Sequence, residues 1–431
     1  MNAQLLRFLG LVLLLLPGLA RAEVEVQTRT LLLGRGHSPG VHAEWPLYQW
    51  VEVSGHDLAL PGLSAHASLW GMGGLAEHDG DPLTGERLAG DVNLLYAGYR
   101  DPRARYALRL GRQLVLGGAG TGFFGHIDGL WARTALGGLE AEAYGGRIVT
   151  ARFSNLSQAD WLAGGRVGWR RWGGLAGGLS YLQARNDSRI ARQLVGADLS
   201  LAVWKNLDAV GHASFDLMQM GLAEASLTAR YQLGRSLALG LRGHQASPSR
   251  LIDQSSIFSV FGLGDYVEGG LFCDYRLSDQ WVLGAEYSSV FFPAEDGQGI
   301  EGSPGHRARL HLSGYLLRSL WVQVAADRLP TEDNGYTGVR LAARWRPEAK
   351  LSASLELLGY FYDEPPFERD ATRDSSLSAH LFADYALLEG LLVGVGGQVG
   401  QGAFTTLDAR LLFRLTWAAH FGHGETGKGG H

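Results

Sequence analysis

The stretch EASLTARYQLGRSLALGLRGH, Glu224–His244, keeps a two-residue rhythm on both sides of the four residues LGRS. From Ala223 to Leu233 one parity reads Ala, Ala, Leu, Ala, Tyr, Leu, while the other reads Glu224, Ser226, Thr228, Arg230 and Gln232. After Gly234-Arg235 the pattern resumes as Leu237, Leu239 and Leu241 against Ser236, Gly240, Arg242 and His244. Successive side chains of a strand point to opposite faces, so this is a hairpin of two strands, each with one apolar and one polar face.

The same alternation recurs along the chain. Leu207–Leu217 sets Asp208, His212, Ser214 and Asp216 on the polar parity, and Val267–Leu277 sets Glu268, Asp274 and Arg276 there. Ala308–Gly314, Val339–Trp345, Leu377–Leu387 and Leu407–Trp417 read alike. Segments of about 9–12 residues match a tilted membrane-crossing strand rather than the ~5–6 of an average soluble one. Aromatic residues gather on the apolar parity beside the tight turns: Tyr231, Tyr275, Trp281, Trp345, Tyr385 and Trp417. An interfacial girdle belongs there.

Ten tight connections carry turn residues: HDLALPG ending at Gly62, then Asp101-Pro102, Gly137-Gly138, Gly173-Gly174, Lys205-Asn206, Gly234-Arg235, Ser278-Asp279, Leu317-Arg318, Pro347-Glu348 and Leu388-Glu389. With both termini on one side, they predict an all-β fold: a transmembrane antiparallel up-and-down β-barrel of about 22 strands, with short periplasmic turns and no plug domain. The first hairpin, residues 24–56, is the least regular, which leaves about 18–20 strands as the alternative.

Composition agrees with this class. Glycine is abundant (62 residues), only 19% of residues are charged, and lysine is confined to Lys205, Lys350 and Lys428. A net charge of −5 without a basic block gives no nucleic-acid signature. The N-terminal residues combine Arg7, the apolar run FLGLVLLLLPGLA and Ala20-Arg21-Ala22, an export signal cut after Ala22. The expected organisation is a signal peptide over 1–22, a barrel over 23–418 and a Gly/His-rich periplasmic tail over 419–431. The single cysteine, Cys273, excludes an intrachain disulfide and a CxxCH haem site.

Residues 106–146 contain GRQ (Gly111, Arg112, Gln113) and DGL (Asp128, Gly129, Leu130) on adjacent segments. This pair resembles one near the N-terminal part of alginate-export-like and related outer-membrane porins of Gram-negative bacteria. The resemblance implies a porin-like barrel in the outer membrane.

The polar parity collects the lumen-lining candidates. The cations are Arg109, Arg166, Arg170, Arg230, Arg242, Arg276, Arg307, Arg309, Arg340, Arg344, Arg410 and Arg414. The anions include Glu224, Glu268, Asp274, Glu286, Asp384 and Asp408. Such a lining is either a solvated wall of cross-strand ion pairs or a selectivity surface. Residues 248–263 form the longest outer connection, whose Ile257, Phe258, Val260 and Phe261 are candidates for a constriction folded into the lumen. GTGFFG at Gly120–Gly125 matches a phosphate-loop spacing but lies between two strands, so it reads as a plain loop. GHGETGKG in the tail lacks the hydroxyl residue that a phosphate loop needs. His212, His244, His311 and His380 fall on different strands and read as solvated lumen residues, so no metal, cofactor or catalytic residue is assigned.

Barrel width then frames two functions, because a barrel of ~22 strands is normally plugged. One is a porin-like channel that passes solutes or an exported polymer. The other is a sheath whose lumen houses a periplasmic partner, such as a multihaem cytochrome. The outer-membrane bilayer is the partner in both.

Overall fold

The structure is a computed structural model. It describes residues 23–36, 44–75, 88–121, 123–149, 161–186, 189–247, 265–291, 304–330, 335–363, 374–402 and 407–422. They form one sheet of 22 antiparallel strands. It begins with β1 (Glu23–Gly36), β2 (Pro46–His56), β3 (Leu63–Gly74), β4 (Leu88–Arg100), β5 (Tyr106–Gly117), β6 (Phe123–Leu136), β7 (Leu139–Val149) and β8 (Trp161–Trp172). It continues with β9 (Leu175–Asn186), β10 (Arg189–Trp204), β11 (Leu207–Asp216), β12 (Gly221–Leu233), β13 (Leu237–Ala246), β14 (Tyr266–Arg276) and β15 (Trp281–Phe291). The last are β16 (Pro304–Leu317), β17 (Leu320–Leu329), β18 (Tyr336–Glu348), β19 (Leu351–Tyr362), β20 (Ser375–Leu388), β21 (Leu391–Gln401) and β22 (Asp408–Phe421).

Each strand pairs with its sequence neighbours, and β1 pairs with β22 from Val24↔Phe421 to Gly36↔Ala409, which closes the ring. Closure leaves no edge, so the ladder satisfies the backbone groups that a bilayer cannot. The irregular first hairpin is complete, which settles the strand number at 22. Because β1 offers partners as far as Val24, β22 runs on to Phe421, beyond the boundary at 418 read from the sequence.

The short connections gather at one end, and two of them explain their sequence outright. Gly137-Gly138 and Gly173-Gly174 have φ of 57° and 88°, and 60° and 91°. Two successive positive φ values make the type I′ turn whose twist matches the flanking strands, a conformation that glycine adopts without a Cβ clash.

The parity also follows the sequence. Outward positions carry Leu110, Leu271, Leu310 and Val167, all at least 60% exposed. So large an exposed apolar surface, wrapped around a closed sheet, is a lipid belt. The chain is a transmembrane β-barrel of the outer-membrane type. One exception to the parity is Val210, 57% exposed but level with Ser200 and Thr228 on the inner face, where it meets the lumen.

Candidate functional site

The lumen wall is laced by charge pairs within a strand, between neighbouring strands and across one intervening strand. Arg166 on β8 donates Nε and Nη2 to both carboxylate oxygens of Asp198 at 2.8 and 2.6 Å, and its Nη1 reaches Glu140. Glu140 also accepts from Arg170 at 2.7 Å and from Arg133 at 3.0 Å. One carboxylate on β7 therefore gathers three guanidinium groups. Further round, Arg242 lies between Glu268, at 3.5 Å, and Glu286, and Arg230 is 3.7 Å from Asp274. Arg340 pairs with Glu356, Arg414 with Asp384 and Arg410 with Asp408, each at 2.6 Å. Arg344 lies over Trp321, 5.5 Å from the ring centre. Arg309 stands opposite Glu286 and Asp327, while Arg307 and Arg276 share the same inner face without a carboxylate opposite. Glu224 sits 3.4 Å from the His212 ring and 3.3 Å from that of His244. Every sequence-derived lining candidate on a described strand thus stands on the inner face.

The structure also places something in the lumen that alternation does not encode. After β5 the chain turns inward as a single helical turn, α1 (Gly118–Thr121), before β6 begins at Phe123. This turn reaches past β6, β7 and β8 to lie on β9 and β10. A Cβ on Gly118 would meet the Ser180 Cβ at 3.1 Å and the Arg166 Cδ at 3.2 Å. A Cβ on Gly196 would overlap the Gly120 carbonyl, so the two backbones touch. Thr121 Oγ1 donates back to the Gly117 carbonyl and pins the turn. The plain loop read at Gly120–Gly125 is corrected accordingly.

Beside α1 the inner face is dry. Val115, Ile127, Leu162, Leu182 and Leu194 are at most 1% exposed, and Tyr144 packs with them. These residues occupy lumen positions of β5–β10, so one arc of the barrel carries a small apolar core, and among the described residues the opposite arc carries none. Ile257, Phe258, Val260 and Phe261, the constriction read from sequence, lie outside the described residues.

Toward the turn end, on the α1 side, a cavity of about 220 Å³ is lined by Arg100, Arg105, Arg109, Arg133, Arg170 and Trp131. Arg109 lies 4.6 Å from the Trp131 ring centre and 5.4 Å from that of Tyr96, held by two aromatic faces rather than by an anion. Arg105 is anchored to Asp101, Nε to Oδ2, at 3.0 Å. The pocket is a concentration of positive potential facing water. Arg109 and Arg170 were legible from alternation. Arg100, Arg105 and Arg133 were not, because a strand end and a turn have no parity to read and Arg133 lies in a segment whose alternation is weak. No grouping of metal-ligating side chains occurs among the described residues.

The GRQ and DGL residues meet across β5 and β6, with Gly111 opposite Gly129 and Arg112 opposite Asp128. Arg112 donates Nε and Nη2 to the two Asp128 oxygens at 2.9 and 3.0 Å. This pair has the outward parity of Leu110 and Leu130, so it faces away from the lumen. Gln113, on the inner parity, is fully buried and donates to the Arg109 and Gly129 carbonyls.

No protein-family model matches the chain, and no curated protein matches it. Among solved structures it is similar to the outer-membrane protein OpdK from Pseudomonas aeruginosa, with 12% identity over 94% of this chain and 100% of that one at a TM-score of 0.45. It is similar to the same degree to OccAB4 of Acinetobacter baumannii, with 12% identity, 94% and 100% coverage and a TM-score of 0.45. OccK9 (OpdG) of Pseudomonas aeruginosa shares 14% identity over 93% of this chain and 98% of that one, at 0.44. The closed ladder and its lipid belt, independently of these likenesses, make the chain an outer-membrane β-barrel of porin-like form.

Proposed function

We propose that the chain is a passive channel for small hydrophilic solutes across the outer membrane of a Gram-negative bacterium. The observation that carries this reading is the inward turn α1 with its dry core. It narrows a barrel that would otherwise be too wide to stand open, and it does so with residues of the chain itself. A sheath around a folded partner has no comparable support, since a cytochrome filling the lumen would have to displace α1 from its backbone contact with β10. Passage of a bulky polymer is disfavoured by the same obstruction. The polar lining, Arg166, Arg242, Arg340 and Arg414 with their carboxylates, keeps the remaining path wetted, and the arginine pocket by the turns supports a preference for anions over cations.

Swelling of liposomes that contain the purified barrel tests this. Small sugars and small carboxylates enter and large oligosaccharides do not. Liposomes impermeable to all of them oppose the channel, and equal entry of large and small solutes opposes the narrowing.

A further inference from the structure

The outward parity of β5–β9 carries a charged rank along one cross-strand line of the sheet, which a strand tilt near 40° carries by about 3 Å in height per strand. Arg112 on β5 is opposite Asp128 on β6, and Asp128 is opposite Arg147 on β7. The β7–β8 register ends at Gly146↔Leu162, so Arg147 comes level with Trp161, and Trp161 is opposite Arg185 on β9. The rank Arg112, Asp128, Arg147, Trp161, Arg185 thus crosses five neighbouring strands on the side that faces lipid. We propose that it binds the phosphate groups of a phosphorylated glycolipid in the outer leaflet.

Height is the first argument. Arg147 stands eight residues beyond Leu139, which adjoins the Gly137-Gly138 turn. At about 3.4 Å per residue and a tilt near 40°, this is roughly 20 Å from the turn end, close to the upper limit of an apolar band about 25 Å tall. Headgroups lie at that level.

Charge is the second. Arg112 is taken by Asp128 and by Asp91, 3.4 Å away. Arg147 is exposed and has no carboxylate partner among the described residues. Arg185 stacks over Trp161 at 5.2 Å, and its Nε has no hydrogen-bond partner. Among the described residues, two guanidinium groups therefore stand on this outward wall without an anion, and such groups match phosphate in geometry. On the far wall, at the corresponding height of β17, Arg328 has both Nη atoms on Asp363 at 2.6 and 2.7 Å. The outward arginine of β17 is thus neutralised where those of β7 and β9 are not.

Shape is the third. Directly below the rank the outward positions of β7 and β8 are Ala143, Gly145, Ala163 and Gly165, between Leu130 and Ala132 of β6 on one side and Tyr181 and Gln183 of β9 on the other, with Val167 closing the lower end. The wall is recessed there by the width of a side chain, a shallow trough in which an acyl chain can lie beneath its headgroup. The proposal is independent of whether the lumen conducts.

The test uses the full-length barrel extracted in mild detergent. Native mass spectrometry measures binding of a bis-phosphorylated lipid A and of its dephosphorylated form to the wild type, to Arg147→Gln/Arg185→Gln and to Arg328→Gln. The wild type and Arg328→Gln bind the phosphorylated lipid at least about tenfold more tightly than the double variant, and none of them favours the dephosphorylated form. Heat-modifiable migration in gels establishes that each variant is folded. Should the double variant not fold, exposed Arg147→Gln alone gives a several-fold loss and Arg147→Lys restores part of it. Equal affinity of wild type and Arg147→Gln/Arg185→Gln, a loss in Arg328→Gln as large as in that double variant, or equal affinity for the two lipids overturns the proposal.

Discussion

Gly120 and Gly196 meet backbone to backbone inside the lumen, and a Cβ on Gly196 would overlap the Gly120 carbonyl. The contact joins the turn after β5 to β10 across four intervening strands, so it holds α1 against the far side of its arc. Overpacking a close contact costs about 1–3 kcal/mol, and a single helical turn has few other interactions to absorb it. Gly196→Leu therefore expels α1 while the ladder stays closed. Unitary conductance of the variant in a planar bilayer rises above that of the wild type; an unchanged value would place the turn outside the conducting path.

Glu140 neutralises a cluster of three arginines, Arg133, Arg166 and Arg170, on the inner face. Glu140→Gln leaves these groups with only Asp198 as a partner, and adds one net positive charge beside the water path. Anion-over-cation permeability, read from the reversal potential in a salt gradient, rises about twofold at low ionic strength, and the shift shrinks as salt screens it. A shift toward cations contradicts the placement of this cluster.

Leu271 and Val210 are similarly exposed, at 66% and 57%, but on opposite faces. Leu271 is outward in the middle of β14, so Leu271→Arg puts a cation into acyl chains at a cost of about 2–4 kcal/mol. Val210 faces the lumen, so Val210→Arg costs little. Unfolding of the two variants by denaturant in lipid vesicles measures the difference, and equal destabilisation would mean that the faces are misassigned.

The turn between β4 and β5 carries a pH dependence of known sign. Asp101 accepts from the Arg105 side chain, and this hydrogen bond holds its carboxyl below the ordinary carboxylate range. A carboxyl lowered in the folded state stabilises in full above its unfolded value of about 4, and the contribution fades as pH falls through the folded value. The stability gap between wild type and Asp101→Asn is accordingly constant from pH 7 to about pH 5 and closes in stronger acid. A gap that widens on acidification reverses the sign and refutes the assignment.

Much of this architecture was legible in the sequence because a closed membrane barrel repeats one local rule. Side chains on one strand face alternate between lipid and water, and a register slip of one residue would exchange them. The segment Ala223–Leu233 lies within β12, Gly221–Leu233, and the tight connections fall where they were read, except that Pro347-Glu348 ends β18 and its turn is at residues 349–350. Arg230, Arg242 and Glu268 share the face opposite to Leu241 and Leu271 for the same reason.

The narrowing was not legible, because it depends on contacts between segments far apart in sequence. Val115 and Ile127 are apolar on the parity that should be polar, which reads as noise until the structure buries them in one cluster with Tyr144, Leu162, Leu182 and Leu194. Gly120 and Gly196 look like two ordinary glycines among 62. Their meaning is a close approach, and sequence alone does not pair them. Arg112 and Asp128 show the converse. Their outward parity was available in the alternation of Leu108, Leu110 and Leu130, but the charge pulls a reader toward the lumen.

The central claim is a water-filled lumen narrowed from within by the chain itself. Single-channel recording of the purified wild-type barrel in a planar bilayer tests it most directly. The account predicts discrete, stable openings of a conductance well below that of an unobstructed cylinder of 22 strands, without any added partner. A barrel that never conducts, or one that opens to the full width of the cylinder, would contradict it.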